Sequence, residues 1–267
     1  MNTIPSTRRY RTLFLSDMHL GTKGSQVAHL LDFLVKHDAD TIYLVGDIID
    51  GWQLSAKWYW PPEHNAVLRL LHHKAEQGTR IVYLPGNHDE FVREFNGSHN
   101  DFLEIEEQVI HEAADGKRYL VLHGDCFDFV LQNKVRWLAA VGDWAYVTAL
   151  RINRIINGIS RRTGLPYWSF SNWAKMQVKG AVNFIGHYEE LLVDAARKND
   201  VDGVVCGHIH HAIIREDFGL TYVNCGDWVE SCTAAVEHED GRLEIVNWAN
   251  LSEPETFESE SEESAIA

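Results

Sequence analysis

The sequence has few cysteines and no long apolar run. Only four of its 267 residues are cysteine, and no two of them are spaced as CxxC. Such sparse thiols are typical of a reducing compartment rather than of a disulfide framework. No apolar stretch approaches the ~18 residues that a membrane-spanning helix requires. We therefore expect a cytoplasmic protein without a transmembrane helix.

Positive charge is also scarce. The chain has 24 Lys and Arg against 39 Asp and Glu, a formal net charge of −15, which argues against a nucleic-acid partner. Because 45% of the residues are apolar and nine are Trp, the chain can bury a core and is not a disordered protein. The length suits one large domain or one domain with a sizeable insertion.

One segment of this acidic chain has a net positive charge. Residues 129–187 carry eight basic side chains and one acidic side chain, a net charge of +7, together with four of the nine Trp. This composition on helices indicates an anionic, partly apolar partner such as a phospholipid surface. The alternative is a packed helical subdomain with a solvated basic face. Arg161, Arg162 and Trp168 in this segment are candidate substrate contacts, although Arg161 and Arg162 also suit a solvated helix end.

The order of predicted elements indicates a layered α/β domain. Hydrophobic patterning predicts three strands alternating with two helices, and later strands joined at Asp-Gly hairpin turns. The strands cover 11–16, 41–45 and 80–84, and the helices cover 26–37 and 61–77. Two long helices are predicted over 129–159 and 172–198. We expect one domain over residues 1–250, a helical cap inserted in it at 127–200, and an acidic disordered tail over 251–267.

Five short polar segments follow predicted strands, where open α/β sheets usually place their sites. They are Asp17-Met18-His19, Gly46-Asp47, Gly86-Asn87-His88-Asp89, His123-Gly124-Asp125 and Gly207-His208-Ile209-His210. Residues i and i+2 of a strand point to the same side, so each Asp-x-His or His-x-His pair can face one point. The glycines allow tight turns and close approach of the backbone.

Each segment alone has an ordinary explanation as a helix cap, a turn or a surface histidine. All five together, each at a predicted strand end, indicate one site. Seven His, carboxylate and amide donors are too many for one tetrahedral zinc. They suit two divalent ions such as Mn²⁺, Fe²⁺ or Zn²⁺ that share a bridging carboxylate, bind phosphate oxygens and acidify a bridging water. The reaction class implied is hydrolysis of a phosphate ester or anhydride.

In this order, the five segments resemble the signature of the calcineurin-like metallophosphoesterases, over about Thr12 to Trp228. The resemblance implies a layered β-sandwich flanked by helices and a set of ligands for two metals. Metal A would be held by Asp17, His19, Asp47 and His210, and metal B by Asp47, Asn87, His123 and His208. It also implies that His88 binds the phosphate and can protonate the leaving group, with Asp89 positioned to orient it.

Within this superfamily, the chain is most similar to the UDP-2,3-diacylglucosamine hydrolase branch of lipid A synthesis. The similarity lies in LFLSDMHLG, YLVGDIIDGW, the helical insert and the late Gly226-Asp227-Trp228. It implies a Mn²⁺ enzyme that cleaves a pyrophosphate to release UMP, holds acyl chains under a helical cap and contacts the inner membrane peripherally. A non-catalytic scaffold is disfavoured because all seven donor positions are intact.

One residue departs from that branch, whose well-studied members resemble GNRD where this chain has His88. A phosphate leaving group needs little protonation, so an arginine can suffice there as an electrostatic clamp. An alkoxide leaving group needs a proton, which a histidine can donate. The alternative substrate is therefore a phosphomonoester or phosphodiester with an alcohol leaving group. Three tryptophans lie close to Asp50 in the sequence, namely Trp52, Trp58 and Trp60. They could form a rim of the cleft or belong to the core.

Overall fold

The computed structural model describes residues 8–127, 191–217 and 219–249. The backbone divides into two compact units, one of residues 1–124 with 193–267 and one of residues 125–192. The predicted helix 129–159, most of the predicted helix 172–198 and the acidic tail lie outside the described residues. Residues 191–198 are helical. The cap and tail boundaries stay predictions. Within the described ranges, no helix has both the length and the hydropathy needed to cross a bilayer.

Three α-helices lie between the first three strands, and amphipathic patterning predicts two of them, α1 and α3. Helix α1 (Val27–Lys36) buries Val27, Leu30, Leu31 and Leu34, which have the i, i+3, i+4, i+7 spacing of one helix face. Helix α2 (Gly51–Ala56) is short. Helix α3 (Pro62–Glu76) has proline at its first position, where a missing N–H costs nothing.

Twelve strands of the described chain form two sheets. The first sheet has seven strands in the order β12-β11-β1-β2-β3-β5-β4, and the second has five in the order β6-β7-β8-β10-β9. The first sheet contains β1 (Arg8–Leu15), β2 (His37–Val45), β3 (Arg80–Leu84), β4 (Ser98–His99), β5 (Glu104–Ile105), β11 (Thr233–Glu237) and β12 (Leu243–Asn247). The second contains β6 (Gln108–Glu112), β7 (Arg118–Leu122), β8 (Gly203–Cys206), β9 (Ile213–Asp217) and β10 (Leu220–Asn224).

The pairing of parallel strands determines where the polar segments meet. Strands β1, β2 and β3 are mutually parallel, with Leu15 opposite Leu44 and Val45 opposite Leu84. In the second sheet β7 is parallel to β8. Because carboxyl ends of parallel strands lie at one edge, the segments after β1, β2 and β3 converge, as do those after β7 and β8.

Two apolar cores lie on the two faces of the first sheet. Alternation along β1 sends Leu13 and Leu15 toward α1 and α3 and sends Phe14 toward the second sheet. Between the sheets, Phe14 stacks on Tyr43 with ring centroids 5.2 Å apart, and Val121 of β7 belongs to the same cluster. The predicted layered β-sandwich with flanking helices is therefore confirmed.

The structure extends or adds elements that the hydrophobic pattern did not reveal. Strand β2 begins at His37 rather than at Thr41, because His37 and Ala39 are buried although the sequence around them is polar. Lys74 supports this polar start by donating to the His37 carbonyl and pairing with Asp38. Helix α2 was also not predicted.

The buried carboxylate of Glu237 contacts polar groups of both sheets. Glu237 of β11 is fully buried. Its oxygens accept hydrogen bonds from the Thr12 hydroxyl at 2.7 Å and the Ala114 N–H at 2.8 Å. They also lie 2.9 Å from His111 Nε2 and 2.6 Å from Arg11 Nη1. Since these partners belong to β1, β6 and the turn after β6, Glu237 ties the sheets together.

Candidate metal centre

The polar segments that follow the strands carry unusual backbone angles. Among the described residues, seven that are not glycine have positive φ, and five of them are predicted ligands. These five are Asp17, His19, Asp47, His208 and His210, with φ between 47° and 72°. Such angles cost free energy in non-glycine residues and persist where the surroundings enforce them, most often at functional sites.

Two glycines allow the segments to approach each other. A Cβ at Gly46 would lie 2.2 Å from Nδ1 of His123, and a Cβ at Gly86 would lie 2.2 Å from Oδ1 of Asp47. Both positions therefore need glycine for space, as the sequence predicted.

One cluster of donor atoms joins the segment after β1 to the segment after β8. Oδ1 of Asp17 lies 3.0 Å from Nε2 of His210 and 3.9 Å from Nε2 of His19. The ligand atoms of these three residues lie within 4.8 Å of one another. Asp17 Oδ1 is buried and has no hydrogen-bond partner within the part of the chain that the structure describes, while Oδ2 accepts a bond from the His208 N–H at 3.0 Å.

A second cluster contains Asp47, His123 and His208, again with ligand atoms within 4.8 Å of one another. Oδ2 of Asp47 lies 3.3 Å from Nε2 of His123 and 4.0 Å from Nε2 of His19. Asp47 thus stands between the two clusters, where a bridging carboxylate is expected. The His123 and His208 rings meet edge to face, with centroids 5.0 Å apart.

Asn87 lies between two residues that contact Asp47. A side chain at Gly86 would collide with Asp47, and the His88 N–H donates to Asp47 Oδ1 at 2.8 Å. The Asn87 Oδ1 atom is buried and has no hydrogen-bond partner among the described residues. An amide oxygen in that state is available to a cation.

Two ligand histidines are oriented by acceptors on the side away from the clusters. His123 Nδ1 lies 2.9 Å from the Val45 carbonyl oxygen, and His19 Nδ1 lies 3.1 Å from Asp50 Oδ2. An acceptor at Nδ1 fixes the tautomer that presents the Nε2 lone pair to a metal. Both Nε2 atoms face the Asp47 carboxylate.

His88 forms a third donor group with His19 and Asp47, whose ligand atoms again lie within 4.8 Å of one another, and it also contacts Asp50. Its Nδ1 lies 3.0 Å from Asp50 Oδ2, and its ring meets the His19 ring edge to face at 4.6 Å. Sequence analysis missed Asp50, which follows Asp47 by three residues. The signal that could have found it is a carboxylate directly before Gly51, at the start of α2.

The role expected for Asp89 is corrected by the structure. Asp89 is fully buried, and its oxygens accept the Gly86 N–H at 2.6 Å, the Ile48 N–H at 2.7 Å and the Tyr83 hydroxyl at 2.6 Å. These bonds fasten the loop after β3 to the loop after β2. Asp89 therefore supports the loops, and Asp50 is the carboxylate that contacts His88.

Close packing of carboxylates and imidazoles shifts their acidities. Burial alone raises the pKa of Asp47, but the His123 ring and the His88 N–H outweigh it, so the pKa lies well below its ordinary value. The Asp17 carboxylate raises the pKa of His210. Burial raises the pKa of Asp89.

The donor set fits two divalent cations. Three overlapping groups of His and Asp donors are linked through His19 and Asp47, and among the described residues the buried Oδ1 atoms of Asp17 and Asn87 accept no hydrogen bond. Imidazole and carboxylate together suit Mn²⁺, Fe²⁺ or Zn²⁺. The assignment of each residue as a ligand stays a prediction. Arg161, Arg162 and Trp168, the predicted substrate contacts, lie outside the described residues.

Of the three tryptophans near Asp50, two line a cleft and one packs against the core. Trp52 and Trp58 are exposed and line a cleft next to His88. Trp60 is partly buried and packs against the core that contains α1 and α3.

The fold and these two clusters define a metal-dependent phosphoesterase. The calcineurin-like phosphoesterase model matches residues 10–212, and the chain belongs to that family. It is similar to the UDP-2,3-diacylglucosamine hydrolase of Chromohalobacter salexigens, with 27% identity over 77% of this chain and 82% of that protein. The enzyme of the same name from Psychromonas ingrahamii is 26% identical over 88% of this chain and 96% of that protein. A solved archaeal phosphodiesterase, 12% identical, covers 88% of this chain and 98% of its own with a TM-score of 0.43.

Proposed function

We propose that this protein hydrolyses UDP-2,3-diacylglucosamine to UMP and 2,3-diacylglucosamine 1-phosphate. The observation that carries the proposal is the set of adjoining donor groups linked through His19 and Asp47, in a chain similar over most of its length to hydrolases of that name. The similarity supports the substrate, and the clusters support the chemistry.

The residues that would hold the two ions are those of the two clusters. Asp17, His19 and His210 would hold one ion and His123, His208 and Asn87 the other, with Asp47 between them. Mn²⁺ is the ion we propose for both positions. When bound, such ions polarise a phosphorus–oxygen bond and lower the pKa of bound water toward neutrality.

The protein's own groups position the substrate beside this centre. His88 has one ring nitrogen against Asp50, so its Nε2 is the nitrogen available to a phosphate oxygen or to the leaving group. Asp50 is buried and is fixed by two hydrogen bonds, because its Oδ2 lies 3.1 Å from His19 Nδ1 and its Oδ1 accepts the Gln53 N–H at 2.8 Å. The 3.0 Å contact between His88 Nδ1 and Asp50 Oδ2 does not meet hydrogen-bond geometry, so the carboxylate attracts a protonated His88 ring without fixing its orientation.

The His88–Asp50 contact favours a second candidate function, hydrolysis of a phosphomonoester or phosphodiester with an alcohol leaving group. A carboxylate behind an imidazole is the arrangement that orients a general acid. An alkoxide gains more from such an acid than a departing phosphate does.

We also propose that the protein is cytoplasmic and contacts the inner membrane peripherally through the basic segment 129–187. The net charge of +7 and the four tryptophans of that segment support this. Replacing Arg161 and Arg162 by glutamine should reduce sedimentation with anionic liposomes. Unchanged sedimentation would favour a solvated basic face.

The decisive experiment is product analysis. The Mn²⁺-loaded protein is incubated with UDP-2,3-diacylglucosamine, and the products are identified by mass spectrometry, with Asp47→Asn as the inactive control. Release of UMP and the acylated sugar phosphate by the wild type alone would support the first proposal. No release from a protein that still cleaves a simple phosphodiester would select the second.

A further inference from the structure

The loop that carries two predicted ligand histidines leaves strand β8 at Gly207, beside the end of strand β10. Pairing between these parallel strands ends with Asn224 opposite Cys206, and the Cys225 N–H then donates to the Cys206 carbonyl oxygen at 2.8 Å. From here the two chains turn into separate loops. The contacts that follow are therefore made by side chains as well as by the backbone.

The side-chain amide of Asn224 bonds to both of these loops. Its Nδ2 donates to the Gly207 carbonyl oxygen at 2.7 Å, and its Oδ1 accepts the Gly226 N–H at 3.0 Å. Asn224 is fully buried, so water does not compete for either bond and both are strengthened by the low local dielectric. One buried amide thus fastens the loop after β8 to the loop after β10.

Gly226 extends this connection to the loop after β1. Its carbonyl oxygen accepts the Ser16 hydroxyl at 2.8 Å, and Ser16 directly precedes the predicted ligand Asp17. A chain of hydrogen bonds therefore runs from Gly207 through Asn224 and Gly226 to Ser16. It joins loops that come from the two different sheets.

The two ends of this chain also lie against each other. A Cβ at Gly207 would lie 2.6 Å from both Asp17 Oδ2 and Ser16 Cβ, and the His208 N–H donates to the same Asp17 oxygen at 3.0 Å. The Gly207 N–H donates to the His123 carbonyl oxygen at 3.2 Å. The position of Gly207 therefore sets how far the histidines that follow it lie from Asp17 and from His123.

His208 and His210 need such support because their backbone is strained. Their φ angles are 72° and 52°, which cost free energy in residues with a side chain and persist only where the surroundings enforce them. His208 belongs to one donor group and His210 to another. A bond that fixes Gly207 therefore acts on the donors of both predicted ions.

We propose that Asn224 is a positioning residue of the two-ion centre, which holds the loop of residues 207–210 at the distance from Asp17 that two ions require. The proposal rests on the two ions of the proposed function and does not depend on its substrate. Asn224 is not itself a ligand, because its amide oxygen and nitrogen are bonded to Gly226 and Gly207.

Titration of the metal-free protein with Mn²⁺ tests this role without turnover. Isothermal titration calorimetry gives the Kd values, and electron paramagnetic resonance shows whether the bound ions form a magnetically coupled pair, as we expect in the wild type. Asn224→Ala should raise the Kd values about 10-fold, the lower end of the effect of an outer partner, and should show uncoupled ions. Ser16→Ala, which removes one hydroxyl at the other end of the chain, should also raise them.

Thr221→Ala is the matched control. Thr221 is another buried polar residue of β10, and its hydroxyl donates to Glu216 of the neighbouring strand β9 at 2.8 Å. It lies near the end of β10 that is remote from the metal centre. This variant should bind Mn²⁺ like the wild type, even if urea unfolding of the metal-free proteins shows that it is destabilised as much as Asn224→Ala.

Wild-type Kd values in a folded Asn224→Ala, or an equal rise in Thr221→Ala, would overturn the proposal, because a residue that only stabilises the fold leaves metal affinity unchanged. If Asn224→Ala does not fold, Ser16→Ala decides, and wild-type Kd values in that variant overturn the proposal. A wild-type protein that binds no pair of Mn²⁺ ions would refute the two-ion centre and this inference with it.

Failure of the proposed function is distinguishable from failure of this inference. If no UMP is released from UDP-2,3-diacylglucosamine but Asn224→Ala binds Mn²⁺ more weakly, the positioning role stands and the substrate is different. If UMP is released and Asn224→Ala binds Mn²⁺ like the wild type, the function stands and Asn224 does not position the centre.

Discussion

One oxygen of Asp50 contacts both His88 and a predicted metal ligand. Asp50 Oδ2 lies 3.0 Å from His88 Nδ1 and 3.1 Å from His19 Nδ1. The position of the predicted general acid is therefore coupled to that of a predicted ligand histidine. Since Asp50 is almost fully buried, neither contact is weakened by solvent.

Asp50→Asn should lower kcat with little change in the stability of α2. The asparagine keeps the Oδ1 that caps α2 but places an amide N–H against the two Nδ1 atoms, which disfavours the present tautomers. We expect a loss of about 10- to 100-fold, typical of an outer partner of a ligand histidine. The measurement is steady-state kinetics at saturating Mn²⁺, with metal content from plasma mass spectrometry.

The double variant Asp50→Asn with His88→Ala tests whether Asp50 acts by positioning His88 or only stabilises the loop. If Asp50 acts through His88, the double variant at saturating Mn²⁺ should lose no more kcat than His88→Ala alone. Losses that multiply would contradict that role.

His88→Ala should reduce turnover while leaving metal content intact, because His88 is not among the seven predicted metal ligands, although its ring lies within 4.8 Å of ligand atoms of His19 and Asp47. For an ester with an alcohol leaving group we expect a loss of about 10²-fold or more, the usual contribution of a general acid. For a pyrophosphate the loss should be smaller. Comparing the two substrates checks this, and a fall in metal content would instead make His88 a ligand.

Asp47→Asn should remove both activity and bound metal. Asp47 stands within 4.0 Å of His19 and 3.3 Å of His123, so its loss disturbs both clusters at once. The drop in kcat should exceed the ~10–100-fold cost of losing an outer partner. Asp38→Asn, which alters a carboxylate paired with Lys74, is the control. Near-wild-type turnover in Asp47→Asn would refute the two-ion centre.

The sequence was sufficient for the parts of the site that depend on local geometry. Asp17 with His19 and His208 with His210 have the i, i+2 spacing of residues after a strand, and parallel pairing places the first pair beside the segment after β2 and the second beside the segment after β7. The buried apolar strands that carry them are equally visible as short hydrophobic runs. Both signals depend on neighbours along the chain.

The parts that were missed depend on packing between distant segments. Asp89 follows His88 directly, which suggested that it orients His88. In the structure its carboxylate instead bonds to N–H groups of the loop after β2, some forty residues earlier. Asp50 contacts His88 only because those two loops pack together. The polar start of β2 was missed because Lys74, on α3, supplies the partner for Asp38.

Glu237 should make the folded state sensitive to acid independently of the metal centre. Burial raises the pKa of Glu237, but the bonds from His111, Thr12 and the Ala114 N–H outweigh it and hold the pKa at about 2, against an ordinary 4.5. A lowered pKa stabilises the fold above about pH 4.5, and this contribution is lost as the pH falls from there through about 2. The shift corresponds to about 3 kcal/mol.

Since Glu237→Gln cannot titrate, its deficit in free energy of unfolding relative to the wild type should be largest at pH 7 and shrink between pH 4.5 and 3. Urea unfolding of the metal-free proteins, followed by circular dichroism, measures it, with exposed Glu112→Gln as the control. A deficit that stays constant with pH would show that the ionised carboxylate of Glu237 is not what joins the two sheets.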